Sequence, residues 1–222
     1  FYQSKTGTIF PPINEEVIGK KINKLNEKIN LNQDLKSTYN YFLENSNNGD
    51  IVLFSSRYEL RWSDYPIPYS QRNIKRRFFD ENKNLINKDK AFEEWKKQFY
   101  FLIDDLTKRG LNIVLFSSFP TFPKDYKHLT NPQWFNGINN AKNEVQREFL
   151  KKHFFKIDQF LLGLSKQYSN VYYFDIFNNL CPEYKKICKQ NDKFRDSWPL
   201  SNKGAKSIYP AFVNFLKGNN LI

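Results

Sequence analysis

Three short apolar runs punctuate the chain. Ile51 to Phe54 follows the turn pair Gly49-Asp50, Leu111 to Phe116 follows Gly110, and Val171 to Phe174 follows Ser169-Asn170. Runs this short, bounded by turn residues, read as strands buried on both faces. Around them, apolar positions recur every three to four residues. That spacing predicts a helix from about Leu31 to Glu44 on Leu35, Tyr39, Phe42 and Leu43. It predicts a second from about Lys88 to Arg109, whose stripe is Ala91, Trp95, Phe99, Leu102 and Leu106. Gly110 suits the position after the end of that helix. A third covers about Lys142 to Tyr168 on Val145, Phe149, Ile157, Phe160, Leu161 and Leu164, and a last one starts near Ser201 with Ile208, Phe212, Phe215 and Leu216. Residues 15–30 carry Val17, Ile18, Ile22, Leu25 and Ile29 and read as a short helix or an insertion. The long polar stretch with Trp62, Pro66 and Pro68 reads as a loop, and its basic cluster Lys75, Arg76 and Arg77 as a solvated turn.

The order is helix, strand, helix, strand, helix, strand, helix. Such alternation predicts an α/β fold, a parallel sheet covered by helices on both faces. No linker or internal repeat divides the sequence, so residues 1–222 are expected to form a single domain. Ligands of open α/β sheets bind beyond the C-terminal strand ends. The positions to inspect are therefore Ser55, Ser56 and Arg57, then Ser117 and Ser118, then Asp175, and the stretch before the last helix.

Composition narrows the classes. Of 222 residues, 40% are hydrophobic, and 22 Phe and 13 Tyr predict a core built of rings. No apolar run approaches the roughly 20 residues of a membrane helix. The chain has no Met, starts at Phe1 and shows no signal-peptide pattern, so it is expected to be a fragment or a processed domain. The net charge of +12 attracts anions. The lysines are spread along the chain, as a Lys- and Asn-rich composition produces, and a phosphate-binding stripe would cluster them. No nucleic-acid partner is expected. Six residues lie between Cys181 and Cys188, which fits a local disulfide or two unrelated thiols. A disulfide would place the domain outside the cytosol. One pair cannot complete a zinc site. The sequence holds neither a metal-ligand cluster nor a Gly-rich phosphate loop.

The stretch Phe194-Arg195-Asp196-Ser197-Trp198-Pro199-Leu200-Ser201-Asn202-Lys203-Gly204-Ala205 is the most informative. It resembles the end of the SGNH domain carried by membrane acyltransferases of the acyltransferase 3 family, which reads Asp-x-x-His-Leu-Ser-x-x-Gly-Ala before an amphipathic helix. Three other places share the resemblance. Gly49-Asp50-Ile51-Val52-Leu53 with Ser56-Arg57-Tyr58 is similar to the family's internal strand. Asp175 with Leu180-Cys181-Pro182 and Cys188 is similar to its Asp-to-Cys-Pro loop. Gly7 with Phe10-Pro11-Pro12-Ile13 is similar to its Gly-Cys-Pro-Pro-Ile segment.

The resemblance implies a three-layer α/β/α SGNH-hydrolase-like fold, flavodoxin-like in its sheet, with the first strand expected upstream of Phe1. It implies acyl transfer, often of acetyl, onto a cell-surface glycan. A membrane acyltransferase domain would deliver the acyl donor, and the SGNH domain would pass it through a seryl ester without metal or cofactor. The location would be extracytoplasmic, with membrane attachment through the missing N-terminal part. The resemblance assigns Asp196 as the triad acid. The substrate or oxyanion region is expected to include Gly7 and Ser56, with Arg57, just beyond a buried strand, as a group for an anionic substrate or an oxyanion, and Trp198 as a ring that can stack on a sugar.

Departures from the pattern bear on activity. No Gly-Asp-Ser occurs, and Pro199 stands where the family has its catalytic His. Proline has no base to accept a serine proton. Ser56 replaces a usual Asn, and Phe10 a usual Cys. The two histidines, His128 and His153, read as surface residues, and Ser55, Ser117 and Ser118 lack a nucleophile elbow. The expectation is a domain inactive as given. The alternatives are a catalytically dead glycan-binding module using Trp62, Trp198 and Arg57, and a basic nucleic-acid-binding protein.

Overall fold

The computed structural model describes residues 15–18, 39–56, 58, 62, 75–80, 82–122, 144–189, 191, 193–194 and 200–222. In chain order the first half holds β1 (Glu15–Ile18), β2 (Ile51–Phe54), β3 (Lys75–Phe79), β4 (Leu85–Ile86), α1 (Lys88–Lys108) and β5 (Asn112–Phe116). The second half holds β6 (Glu144–Gln146), α2 (Arg147–Gln167), β7 (Val171–Phe174), α3 (Ile176–Leu180), β8 (Ile187–Lys189) and α4 (Asn202–Gly218). Residues 39–45 are also helical.

The three apolar runs form one parallel sheet in the order β2-β5-β7. The Ile113 amide donates to the Asn170 carbonyl at 2.8 Å, and four residues on the Ser117 amide donates to Phe174 at 3.1 Å. Equal steps in the same direction are the mark of parallel strands. The predicted α/β alternation is therefore present.

Two small antiparallel sheets were not anticipated. β1, β3 and β4 form one, with Glu16 opposite Arg77 and Phe78 opposite Ile86. Residues 15–18 are thus a strand where a helix or insertion was expected. Residues 75–79 are a strand rather than a turn. β6 and β8 form the other sheet, with Val145 opposite Cys188. The third predicted helix accordingly starts at Arg147 instead of Lys142. β1 and β3, like β6 and β8, lie far apart in sequence, so local periodicity carries no trace of those pairings. The predicted first helix is described only from residue 39 on; its earlier part lies outside the described residues.

The described residues divide into two compact units. In the unit built from residues up to 56, 75–114 and 164–172, α1 buries Ala91, Phe92, Trp95, Phe99, Leu102, Ile103 and Leu106. The Trp95 and Phe99 rings lie 5.0 Å apart, and Phe54 of β2 meets Phe99 edge-on at 5.6 Å. Full burial of each such ring stabilises by roughly 1.5–3 kcal/mol. Asn87 caps α1 by accepting from the Lys90 amide at 2.8 Å. At its other end Gly110 takes φ +76°, a left-handed conformation that glycine adopts without Cβ strain. The Asn170 side-chain amide donates to Leu111 O at 2.7 Å and Thr107 O at 3.3 Å, tying the end of α1 to the strand starts.

In the unit built from residues 58, 62, 115–122, 144–163 and 173–222, α2 buries Leu150, Phe154, Ile157 and Leu161. Phe212 and Phe215 of α4 each lie 5.1 Å from the Phe174 ring, and Phe116 lies 5.4 Å from both Phe174 and Phe212. These rings anchor α4 to the C-terminal ends of β5 and β7. Among the described residues, no helix is long and apolar enough to cross a membrane.

Candidate functional site

The strand ends carry the polar residues expected there. Ser117 and Ser118 leave β5, and both are buried. Asp175 leaves β7 and caps α3, accepting from the Asn178 amide at 2.9 Å and its side-chain amide at 2.6 Å. The structure brings Ser117 and Asp175 together. Ser117 Oγ donates to Asp175 Oδ1 at 3.3 Å and accepts from the Phe177 amide at 3.0 Å. A hydroxyl held by a carboxylate and an amide, fully buried and with no imidazole beside it among the described residues, is a structural crosslink rather than a nucleophile.

Asp158 of α2 extends this cluster. It accepts from the Ser118 amide at 2.8 Å. Burial pushes its carboxyl up to about 6, with the Asp175 charge adding to the effect and Ser118 and Lys151 opposing it. Burial, followed by the charges of Asp158 and Asp175, also raises the Tyr173 hydroxyl, which stays protonated. Lys151 lies 3.8 Å from Asp175 and sits over the Phe177 ring at 4.8 Å. Sequence reasoning missed Asp158, Tyr173 and Lys151. The one available signal was a charge at position 158 between Ile157 and Leu161, on the flank of an apolar stripe.

Cys181 and Cys188 are joined by a disulfide. Arg147 braces the loop that it closes. Its Nε donates to the Cys181 carbonyl at 3.2 Å, one terminal nitrogen donates to Asn178 Oδ1, and the same nitrogen lies 3.8 Å from Glu183.

The segment before α4 explains its own sequence. Ser201 caps the helix, its Oγ accepting from the Gly204 amide at 3.0 Å while its own amide donates to the Lys193 carbonyl at 2.8 Å. Gly204 is buried against that same carbonyl, and a Cβ there would lie 2.0 Å from the oxygen. Phe194 and Leu200 pair as an antiparallel bridge, closing the loop between them. Asp196, Trp198 and Pro199, inside that loop, lie outside the described residues, as do Gly7, Arg57 and His128. Ser56 follows β2 and is half-buried. Trp62 is buried, so its ring is part of the core and does not offer a sugar-stacking face. His153 packs against Phe149 within α2, the two rings tilted and 4.1 Å apart, and its Nδ1 lies 2.7 Å from the Phe149 carbonyl.

The sheet, the strand-end polar residues and the capped Ser-x-x-Gly helix start define an α/β domain of SGNH-hydrolase type. Comparison with known families agrees. The model of the SGNH domain that is fused to AT3 domains matches residues 10–214, and the chain belongs to that family. No curated protein and no solved structure matches the chain. The chain is thus a hydrolase-like domain of the kind attached to acyltransferases.

Proposed function

We propose that this domain is the glycan-facing part of a membrane acyltransferase, and that this chain does not itself run the Ser-His-Asp reaction. The observation that carries the second half is Pro199. By the resemblance, it stands where the family has the imidazole that takes the serine proton and returns it to the leaving group. By the same resemblance, Asp196 remains as the acid. Gly-Asp-Ser does not occur in the 222 residues, and the buried Ser117 is tied to Asp175. The Cys181–Cys188 disulfide supports an extracytoplasmic setting, where a cell-surface glycan is within reach. By this reading the donor acyl group comes from the membrane part, and the domain holds the glycan acceptor near Arg57 and Trp198.

The same observations favour a second reading, a binding module that keeps the fold and the glycan without turnover. One assay addresses activity. Purified chain incubated with an aryl acetate is expected to release phenol at the uncatalysed rate, in wild type and in Asp196→Ala alike. A rate lost in Asp196→Ala would overturn the inactive reading. A catalysed rate that survives the substitution would place the reaction elsewhere.

A further inference from the structure

A cleft of about 400 Å³ opens between α2 and the end of β7. Ligand pockets span roughly 300–1,000 Å³, so it has room for a small ligand. Its chemistry is specific in three respects. First, Phe155 is 62% exposed at its rim, on a different side of α2 from the buried stripe Leu150, Phe154, Ile157 and Leu161. The ring contributes little to the core and offers an apolar face to whatever enters. Second, Gln159, one helical turn beyond Phe155, lines the same space with Asp158 and Tyr173, supplying amide, carboxylate and hydroxyl groups at one place. Third, the formal charges cancel. Lys151 and Lys152 face Asp158 and Asp175, and Lys151 lies within 3.8 Å of Asp175. In a chain of net charge +12, this is a locally balanced site that selects for neither a phosphate nor an ammonium group.

An apolar ring beside convergent donors and acceptors without net charge matches the two sides of a pyranose. One sugar face is lined with C–H groups, and its edge carries hydroxyls that both donate and accept. We infer that this cleft is a subsite for an uncharged sugar ring, with Phe155 as the stacking platform and Gln159, Asp158 and Tyr173 as hydrogen-bond partners. The inference rests on the glycan reading proposed above and assigns it to residues outside the family's signature segment. The bound sugar is held and not chemically changed.

The test is titration of the full, isotope-labelled chain with maltose, cellobiose and N,N′-diacetylchitobiose, followed by NMR, with a sulfated heparin disaccharide as the charged control. At least one neutral disaccharide is expected to shift the signals of Phe155 and Gln159. Loss of the platform in Phe155→Ala should weaken binding about tenfold, and Gln159→Ala about fivefold. Both residues are exposed, so the variants keep the fold, and the same spectra report it. Binding that is unchanged in both variants would overturn the subsite while leaving the glycan reading standing. No binding of any neutral disaccharide would overturn both. Tightest binding of the heparin disaccharide, lost on adding salt, would show a charge-driven surface and overturn the subsite.

Discussion

The backbone of Gly204 lies against the Lys193 carbonyl so closely that a methyl group at position 204 would fall 2.0 Å from the oxygen. The contact sits one turn into α4, beneath the Ser201 cap, and the Ser201 amide donates to the same Lys193 carbonyl. A backbone oxygen cannot swing aside as a side chain would. Gly204→Ala is therefore expected to lower stability by about 1–3 kcal/mol through overpacking, and Ser201→Ala by about 1 kcal/mol through loss of the cap. Denaturant titration checks both. Equal stability of Gly204→Ala and wild type would show that the helix start is not packed as described.

The Asp158 carboxyl gives a pH signature. Burial raises its pKa from 3.8 to about 6, so the native state holds its proton more tightly than the unfolded chain does. Below 3.8 the group is protonated in both states and costs nothing. Between 3.8 and about 6 the unfolded chain ionises first, and native stability falls. Above about 6 the penalty is complete, on the order of 3 kcal/mol. Asp158→Asn keeps an acceptor for the Ser118 amide and cannot ionise. It should be more stable than wild type at neutral pH, with the advantage vanishing toward pH about 4. A pH-independent difference would contradict a buried, ionising Asp158.

The disulfide spans a sequence separation of only seven residues, so its effect on the unfolded chain is modest. Reduction, or the double change Cys181→Ser with Cys188→Ser, should cost about 2 kcal/mol. The loss should appear as a lower thermal midpoint and as faster proteolysis in the loop 182–187. An unchanged midpoint under reductant would show that β6–β8 pairing and the Arg147 contacts already fix the loop.

Much of the α/β frame was legible in the sequence. The runs at Ile51, Leu111 and Val171 are short and apolar and do form strands, and the Trp95-Phe99-Leu102 spacing marks α1; burial on both faces does not hold for β2, where Leu53 is 44% exposed. Strands β1 and β3 were illegible for a physical reason. Glu15–Ile18 pairs with Lys75–Phe79 across some 60 residues, and neither segment alternates apolar and polar positions on its own. β6 and β8 are likewise a long-range pair. At the site, Gly204 and Ser201 were readable because helix starts have local chemistry. Asp158 was hidden because a single carboxylate on a Lys-rich helix looks solvated until Ser118 is brought to it by the fold. Trp62 misled in the opposite direction, since an aromatic residue in a polar stretch gives no sign of whether its ring turns inward.

The central claim is that no serine of this chain is activated as an SGNH nucleophile. The most direct measurement is intact-mass analysis after incubation with a fluorophosphonate, which forms a stable phosphoryl–serine bond with loss of fluoride only where a base activates the hydroxyl. The account predicts that the 26.7 kDa chain stays unmodified. A stoichiometric adduct on any serine, absent after heat denaturation, would contradict it.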